Sequence, residues 1–243
     1  MIYRLTLLDM FRALLDLILP RVCVVCGKRL PLKREHICEA CLDDLPRTYY
    51  SKMPRNPMSA RLNSHILGPV AYSQATALFF YRASTGYREI TKSLKYRGAH
   101  ATGRFFAGML AAELAASPLY SDVDAVVPVP LHWSRKWSRG YNQAEVIGKE
   151  IADALGATLS PDALRRRRRT RTQTRLSIEG KAANVSGAFT PGDVSGLSGK
   201  THVLLVDDVF TTGATAGACV KTLRESLPSV TRISVATLSC VEG

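Results

Sequence analysis

The sequence predicts an α/β domain built on a parallel β-sheet, preceded by a small cysteine-rich unit. Two observations support this fold class. Between residues 75 and 239, short apolar runs alternate with segments of helical periodicity, and strands joined by crossover helices form parallel sheets that are covered on both faces. Between residues 23 and 41, four of the six cysteines lie in two C-x-x-C pairs. We therefore expect one full-sized domain and one small appendage in the 243 residues.

Residues 1–19 predict an amphipathic helix that packs on the protein. Apolar residues recur there at helical spacing, and Asp9, Arg12 and Asp16 interrupt them. These charges disfavour a signal peptide and a membrane span, which needs about 18 uninterrupted apolar residues. A helix lying on a membrane surface is the alternative, and the acids on its polar face disfavour it. We expect a cytoplasmic protein with no transmembrane segment.

Residues 20–46 predict a zinc ribbon. In a reducing compartment, paired cysteines are typical of metal sites and not of disulfides. Two C-x-x-C pairs separated by eleven residues supply the four thiolates of a closed, structural zinc site. The connector is short for a ribbon, and His36 is an alternative ligand. The predicted zinc ligands are Cys23, Cys26, Cys38 and Cys41. We interpret Cys219 and Cys240 as small buried apolar residues.

The remaining chain predicts a linker and then the larger domain. Residues 46–69 contain four prolines and little periodicity, so we expect a linker over residues 47–69. Residues 70–243 form the larger domain. Its predicted strands cover residues 75–82, 123–130, 202–209 and 231–239. Its predicted helices cover residues 85–98, 102–117, 141–156 and 215–228.

The stretch "VLLVDDVFTTGAT", residues 203–215, predicts a phosphate and sugar site. In parallel sheets, ligands bind beyond the carboxyl ends of the strands. The residues before the next helix present backbone N–H groups and a helix dipole, which suit a phosphate. Two adjacent carboxylates, Asp207 and Asp208, suit a sugar diol or a magnesium ion. A ribose 5-phosphate combines both requirements, and the alternative is a solvated turn after a buried strand.

The formal net charge is +13, and seven arginines lie between Arg165 and Arg175. Such basicity favours polyanionic partners. The arginine run predicts either a mobile lid over a phosphorylated ligand or a contact with nucleic acid.

Several motifs resemble those of a known family. Residues 203–215 resemble the phosphoribosyl-diphosphate (PRPP) motif of type I phosphoribosyltransferases. The chain from about residue 14 onward is similar to the ComF/GntX family, through "CVVCG", "LKYRG", "VPVPLHWSRKWSRGYNQA", "TQTRLS" and "NVSGAF". Members of that family join an N-terminal zinc ribbon to a type I phosphoribosyltransferase domain and are associated with natural DNA uptake. The resemblance implies the same fold here.

The resemblance also implies residue roles. Asp207 and Asp208 would hold the ribose hydroxyls. The 5-phosphate would bind to Thr211, Thr212, Gly213, Ala214 and Thr215. The diphosphate, with magnesium, would bind near Arg135, Lys136 and Arg139. The flexible loop would include Arg171, Gln173 and Lys181, where the last replaces the usual arginine and so loses the planar fork. The cations of "LKYRG" either reach the ligand or stay in water.

Two functions of different classes follow from these motifs. In the first, the protein is a phosphoribosyltransferase of DNA uptake or nucleotide metabolism that transfers the phosphoribosyl group of PRPP to an unknown acceptor and releases diphosphate, although no residue stands out as a catalytic base. In the second, the fold senses PRPP while the basic surface binds single-stranded DNA for uptake or recombination. Trp133, Trp137 and Tyr141 would then stack on DNA bases, and the alternative is that they belong to the core or to the lid. A DNA-uptake helicase is a candidate partner.

Overall fold

The computed structural model describes residues 20–32, 34–66, 72–95, 100–132, 134, 137, 139–167, 187–227 and 229–242. In chain order the strands are β1 (Ala75–Tyr81), β2 (Ala125–Pro128), β3 (Thr158–Leu159), β4 (Leu164–Arg166), β5 (Phe189–Pro191), β6 (His202–Phe210) and β7 (Arg232–Val241). The helices are α1 (Glu39–Asp43), α2 (Pro57–Asn63), α3 (Arg88–Ser93), α4 (His100–Ala115), α5 (Gln143–Leu155) and α6 (Ala214–Ser226). Short 3₁₀ turns occur at Tyr50–Lys52 and Ser195–Leu197.

Five strands form one parallel sheet in the order β1-β7-β6-β2-β3. The central strand β6 pairs Val206 with Pro128 of β2 on one side and with Ala236 of β7 on the other. Because all five strands point the same way, their carboxyl ends lie along one edge of the sheet. The α/β fold with a parallel sheet and an N-terminal cysteine cluster is therefore confirmed.

Both faces of the sheet are covered, as the continuous apolar strands require. Side chains alternate across a strand, so Val203 and Leu205 of β6 pack on one face, with α2 and α6. Leu204 and Val206 pack on the other face, with α3, α4, α5 and the cysteine-rich unit. The cysteine-rich unit thus shares a hydrophobic core with three helices of the larger domain.

Helix α2 lies within the segment that the sequence predicted to be a linker. Asn56 caps it, because its side chain accepts a hydrogen bond from the Ser59 N–H at 2.8 Å, and Pro57 occupies the first turn. Met58 and Leu62 are fully buried against the sheet. These residues contribute to the core of the larger domain.

Strands β4 and β5 form a separate antiparallel ribbon that pairs Arg166 with Phe189. The sequence pattern does not indicate this ribbon, because its first strand overlaps the arginine run. Beyond the paired strands, the Arg167 N–H donates to the Ala188 carbonyl at 2.9 Å. Most of the predicted flexible loop, including Arg171, Gln173 and Lys181, lies outside the described residues.

The predicted amphipathic helix over residues 1–19 also lies outside the described residues. Within the described ranges, no helix combines the length and the apolarity that crossing a membrane would require.

Candidate functional site

The four predicted zinc ligands form one cluster. The sulfur atoms of Cys23, Cys26, Cys38 and Cys41 lie within 4.8 Å of one another. The Cys26 and Cys38 sulfurs are 3.8 Å apart. A tetrahedral zinc ion with Zn–S bonds of about 2.3 Å separates its sulfur ligands by about 3.8 Å. The cluster therefore fits a structural zinc ion with four protein ligands.

The first cysteine pair sits in a tight turn that aims backbone N–H groups at sulfur. The Cys23 N–H donates to the Lys28 carbonyl at 2.8 Å, and the Gly27 N–H donates to the Cys23 carbonyl at 2.9 Å. Burial alone would raise the pKa of the Cys23 thiol. N–H groups of Cys26, Cys38 and Val25 outweigh burial and lower this pKa to about 7. The lowered pKa favours a Cys23 thiolate, the form that binds metal, near neutral pH.

His36, the alternative ligand, is not part of the sulfur cluster. Its Nδ1 lies 3.2 Å from the Thr102 hydroxyl, and its ring centroid lies 5.2 Å from that of Phe105. Burial lowers its pKa, which favours a neutral ring. A second contact, from the Tyr87 hydroxyl to the Cys41 carbonyl at 3.1 Å, also joins the cysteine-rich unit to the larger domain. His36 therefore helps to dock this unit on α4.

The predicted phosphate loop, residues 211–215, joins the end of β6 to the first turn of α6. Gly213 precedes the helix with φ +90°, a conformation that favours glycine. The Ala214 N–H lies 3.4 Å from the Thr212 hydroxyl. The N–H groups of the first helical turn lack intrahelical partners and carry the positive end of the dipole. The loop can therefore bind an anion.

The two aspartates lie before this loop, and their carboxylates interact. The Asp208 N–H donates to Asp207 Oδ1 at 2.8 Å. Burial raises the pKa of Asp207 well above its ordinary value, and the negative charge of Asp208 raises it further. The charge of Arg166 opposes both effects. Carboxylate oxygens are preferred magnesium ligands, so this pair fits a cation or the hydroxyl donors of a diol.

An open cleft adjoins the carboxyl ends of β2 and β6. It brings both aspartates and Thr215 next to three basic residues. These cleft residues are Lys95, Arg139, Arg166, Asp207, Asp208 and Thr215. Opposite charges thus face one space, which suits a ligand that carries both hydroxyl donors and anionic groups.

Arg166 is a cleft residue that the sequence analysis missed. The side chain of Arg166 lines the cleft and lies over the Phe189 ring at 5.3 Å, whereas Arg165 and Arg167 are exposed. This alternation follows from the strand conformation of β4. Because residues 165–169 are all arginine, no pattern in the sequence indicates this alternation.

The predicted diphosphate loop is partly described. Arg139 donates to Gln143 Oε1 at 3.0 Å. Asn142 caps α5, because its Oδ1 accepts from the Ala144 N–H at 3.1 Å while its amide donates to the Val129 carbonyl at 3.0 Å. These contacts tie the loop to the end of β2. Arg135, Lys136 and Trp133 lie outside the described residues, as do Tyr96 and Arg97.

The two described aromatic residues of this loop differ in their surroundings. Tyr141 donates its hydroxyl proton to the Leu94 carbonyl, and its ring centroid lies 3.9 Å from that of His100. Burial raises its pKa. Trp137, in contrast, is 83% exposed. Tyr141 packs against the end of α3 and the start of α4, whereas Trp137 is available to a partner.

Comparisons with known proteins agree with both units. A family model described as a double zinc ribbon domain matches residues 14–52. Competence protein F of Haemophilus influenzae is 35% identical to the chain over 102 residues, which are 42% of this chain and 44% of that protein. The DNA utilization protein YhgH of Salmonella typhi is 38% identical over 102 residues, or 41% of this chain and 43% of that protein.

The YhgH protein of Escherichia coli K12 is 35% identical over 101 residues, which cover 41% of this chain and 43% of that protein. The matched residues thus span less than half the length of these curated relatives. The resemblance that the sequence motifs predicted is confirmed: over the matched residues the chain is a homologue of competence protein F and of the YhgH proteins, and it carries a double zinc ribbon segment.

Proposed function

We propose that the cleft binds PRPP or a related ribose 5-phosphate, and that the chain is a phosphoribosyltransferase-like protein that acts in the cytoplasm in DNA uptake. The 5-phosphate would bind to the loop at residues 211–215, and the ribose hydroxyls would donate to Asp207 and Asp208. The association with DNA uptake is drawn from the names of the homologues, which are a competence protein and DNA utilization proteins.

The observation that carries this proposal is the composition of the cleft. An acidic pair lines the same cleft as Thr215 of the first turn of α6 and the basic residues Lys95, Arg139 and Arg166. A free phosphate would gain from the basic residues but would be repelled by the carboxylates. A nucleic acid backbone would meet the same conflict. A phosphorylated sugar diol satisfies all of these groups at once, because its hydroxyls donate to the carboxylates.

The chemistry that these residues support is departure of diphosphate from C1 of the ribose. Arg139 and Arg166 would stabilise negative charge that develops on the leaving group. Magnesium bound with the diphosphate would neutralise part of the same charge. A transferase also requires an acceptor for the phosphoribosyl group, and the cleft residues do not identify that acceptor. Asp207 and Asp208 would orient the ribose through its hydroxyls.

The test is titration calorimetry with PRPP, ribose 5-phosphate and diphosphate, each with and without magnesium. We expect saturable binding of PRPP with about one site per chain. Diphosphate release from PRPP is then measured with candidate acceptors, with and without single-stranded DNA. Absence of PRPP binding at millimolar ligand would refute the proposal. Binding without release for any acceptor would favour a sensor over an enzyme.

A second candidate function is binding of single-stranded DNA by exposed residues outside the cleft. The observation that favours it is the exposure of Trp137 together with that of Arg165 and Arg167. Exposed aromatic rings stack on bases, and arginines neutralise phosphates. The alternation along β4 separates the two functions, because Arg166 faces the cleft while its neighbours face solvent.

The arginine variants test this separation. Phosphate contacts make log affinity for single-stranded DNA fall with log salt at a slope of about −0.7 per neutralised phosphate. Replacing Arg165 and Arg167 with serine is expected to flatten that slope by about one unit or more and to leave PRPP affinity unchanged. Arg166→Ser is expected to do the reverse. Equal effects of the two variants on both ligands would refute the division of roles.

A further inference from the structure

Two side chains, one from the last turn of α2 and one from just after it, contact the outer side of the phosphate loop. Arg61 Nη1 donates to the Thr211 carbonyl at 3.2 Å. His65 Nε2 lies 2.8 Å from the Thr212 carbonyl oxygen. A carbonyl only accepts hydrogen bonds, so the His65 ring carries a proton on Nε2 in this contact. Two consecutive carbonyls of the loop are thus bound by residues about 150 positions earlier in the chain.

His65 packs closely against the glycines of the loop and of the first turn of α6. A Cβ atom on Gly213 would lie 3.2 Å from His65 Cδ2, and one on Gly217 would lie 2.7 Å from His65 Cβ. Arg61 also donates from Nη2 to the Val241 carbonyl at 2.6 Å, and its guanidinium lies over the Phe210 ring at 5.5 Å. The pair therefore joins the ends of β6 and β7 to the start of α6.

Hydrogen bonds to the carbonyls on one side of the loop orient the N–H groups on its other side. An anion-binding loop works only if its N–H groups face the ligand and its carbonyl dipoles face away. Thr215 lines the cleft, and Thr211, Gly213 and Thr215 line a second pocket that also contains Asp207. Arg61 and His65 are not among the described residues that line either space. The bonds from Arg61 and His65 hold the Thr211 and Thr212 carbonyls on the side away from the ligand.

We propose that Arg61 and His65 are positioning residues that hold the phosphate loop in its anion-binding conformation. This inference rests on the proposed function, because it concerns the loop assigned to the 5-phosphate. The two residues act through the backbone and do not touch the ligand. Loop amides that are already oriented bind an anion without the free-energy cost of ordering the loop. Loss of either side chain is therefore expected to weaken binding of the 5-phosphate selectively.

His65 offers a matched pair of variants. His65→Gln keeps an N–H donor near the position of Nε2, whereas His65→Leu keeps much of the volume and removes the donor. We expect His65→Leu to weaken ribose 5-phosphate about three- to tenfold, which is the usual value of one hydrogen bond. His65→Gln is expected to restore affinity to within about twofold of wild type. Both are measured by titration calorimetry, with the melting temperature as a check on folding.

Diphosphate with magnesium serves as the control ligand, because it has no 5-phosphate. We expect its affinity to be the same in wild type, His65→Leu and His65→Gln. Arg61→Met provides a second test that does not depend on the folding of His65→Leu, and it should show the same selectivity. Equal weakening of both ligands would indicate a general loss of structure and would overturn the inference, as would unchanged ribose 5-phosphate affinity. A wild type that binds neither ribose 5-phosphate nor PRPP would instead overturn the proposed function, and this inference with it.

Discussion

The two edges of the parallel sheet both collect charged side chains, but they use them differently. At the amino edge, His202 is 1% exposed, and its Nδ1 and Nε2 lie 2.8 Å and 2.9 Å from Asp122 and Ser234. Arg232 completes the group by donating to Asp122. At the carboxyl edge, Asp207 and Asp208 face an open cleft.

The two edges differ in whether their charged groups have partners within the protein. Both ring nitrogens of His202 have partners, and the Asp122 carboxylate has two basic partners, which lower its pKa despite partial burial. The pKa of Asp207 is instead raised by burial and by a second carboxylate. Charged groups that stabilise a fold pair with one another, whereas charged groups of a binding site pair with the ligand. The amino edge is therefore structural, and the carboxyl edge is the candidate site.

The largest expected effect comes from removing the zinc site, because the cysteine-rich unit shares a core with one face of the sheet. Structural zinc sites contribute about 10–16 kcal/mol of apparent binding free energy at neutral pH. Cys38→Ser is therefore expected to release the metal and to lower the melting temperature more than any change at either edge. Because the cysteine-rich unit shares a core with α4 and α5, the loss should extend beyond residues 20–46. PRPP affinity of the folded fraction should stay within about threefold of wild type.

Metal content by plasma mass spectrometry and melting by circular dichroism measure this effect. Cys240→Ala is the matched control, since it alters a buried cysteine outside the cluster. The control should retain one zinc per chain. A Cys38→Ser protein that keeps a full equivalent of zinc would contradict the four-thiolate assignment.

The second effect breaks the carboxyl edge alone. Changing Asp207 and Asp208 to asparagine keeps their size and removes both charges. Each lost charge-assisted hydrogen bond contributes about 1.5–3 kcal/mol, so PRPP affinity should fall by ~3–6 kcal/mol in the double variant. The melting temperature at neutral pH should stay equal or rise, because two repelling carboxylates have been removed. Equal calorimetric affinity in wild type and variant would show that the ribose lies elsewhere.

The sequence predicted the parts of this comparison that depend on local patterns. The strands of continuous apolar residues, the helix after Gly213 and the four zinc ligands all follow from spacing. Helix α2 was missed although Asn56 and Pro57 are an N-cap and a first-turn proline, because the surrounding prolines indicated a linker. Strand β3 has only two residues, which is too short for any period.

The remaining features depend on contacts between distant residues. No local pattern connects Arg61 or His65 with a loop about 150 residues later. The same holds for His202 and Asp122, which are separated by 80 residues. Alternation along β4 separates Arg166 from its neighbours, yet in a run of identical residues alternation leaves no trace. Sequence patterns therefore identify the residues of a site more readily than the residues that support it.

The third effect breaks the amino edge alone. Ser234 is 2% exposed and holds His202 Nε2. Ser234→Ala leaves that buried nitrogen without its partner, which should lower the free energy of unfolding by about 1–3 kcal/mol. PRPP affinity should not change, because the network lies at the opposite edge of the sheet. Urea denaturation and calorimetry on the same preparation measure the two quantities, and a loss of PRPP affinity without a loss of stability would reverse the roles of the edges.

The smallest expected effect is the pH dependence of stability. A change in pH should shift the free energy of unfolding in opposite directions through the two edges. The folded-state pKa of His202 is lowered, first by burial. Its contribution to stability is therefore present above its ordinary pKa of about 6.5 and is lost as the pH falls. The folded-state pKa of Asp207 is raised. Its contribution is present below its ordinary pKa of about 3.9 and is lost as the pH rises.

Between about pH 4 and 6.5, acidification thus favours the folded state at Asp207 and disfavours it at His202. One proton changes stability by at most about 1.4 kcal/mol per pH unit. Asp207→Asn should therefore be most stabilising, relative to wild type, near pH 7, and this advantage should shrink toward pH 4. His202→Gln should cost most near pH 7, and its cost should shrink on acidification. Urea denaturation at half-unit pH steps gives both differences. If the Asp207→Asn curve ran parallel to that of wild type, the raised pKa would be wrong, and with it the claim that the carboxyl edge carries a charge that the protein itself leaves unsatisfied.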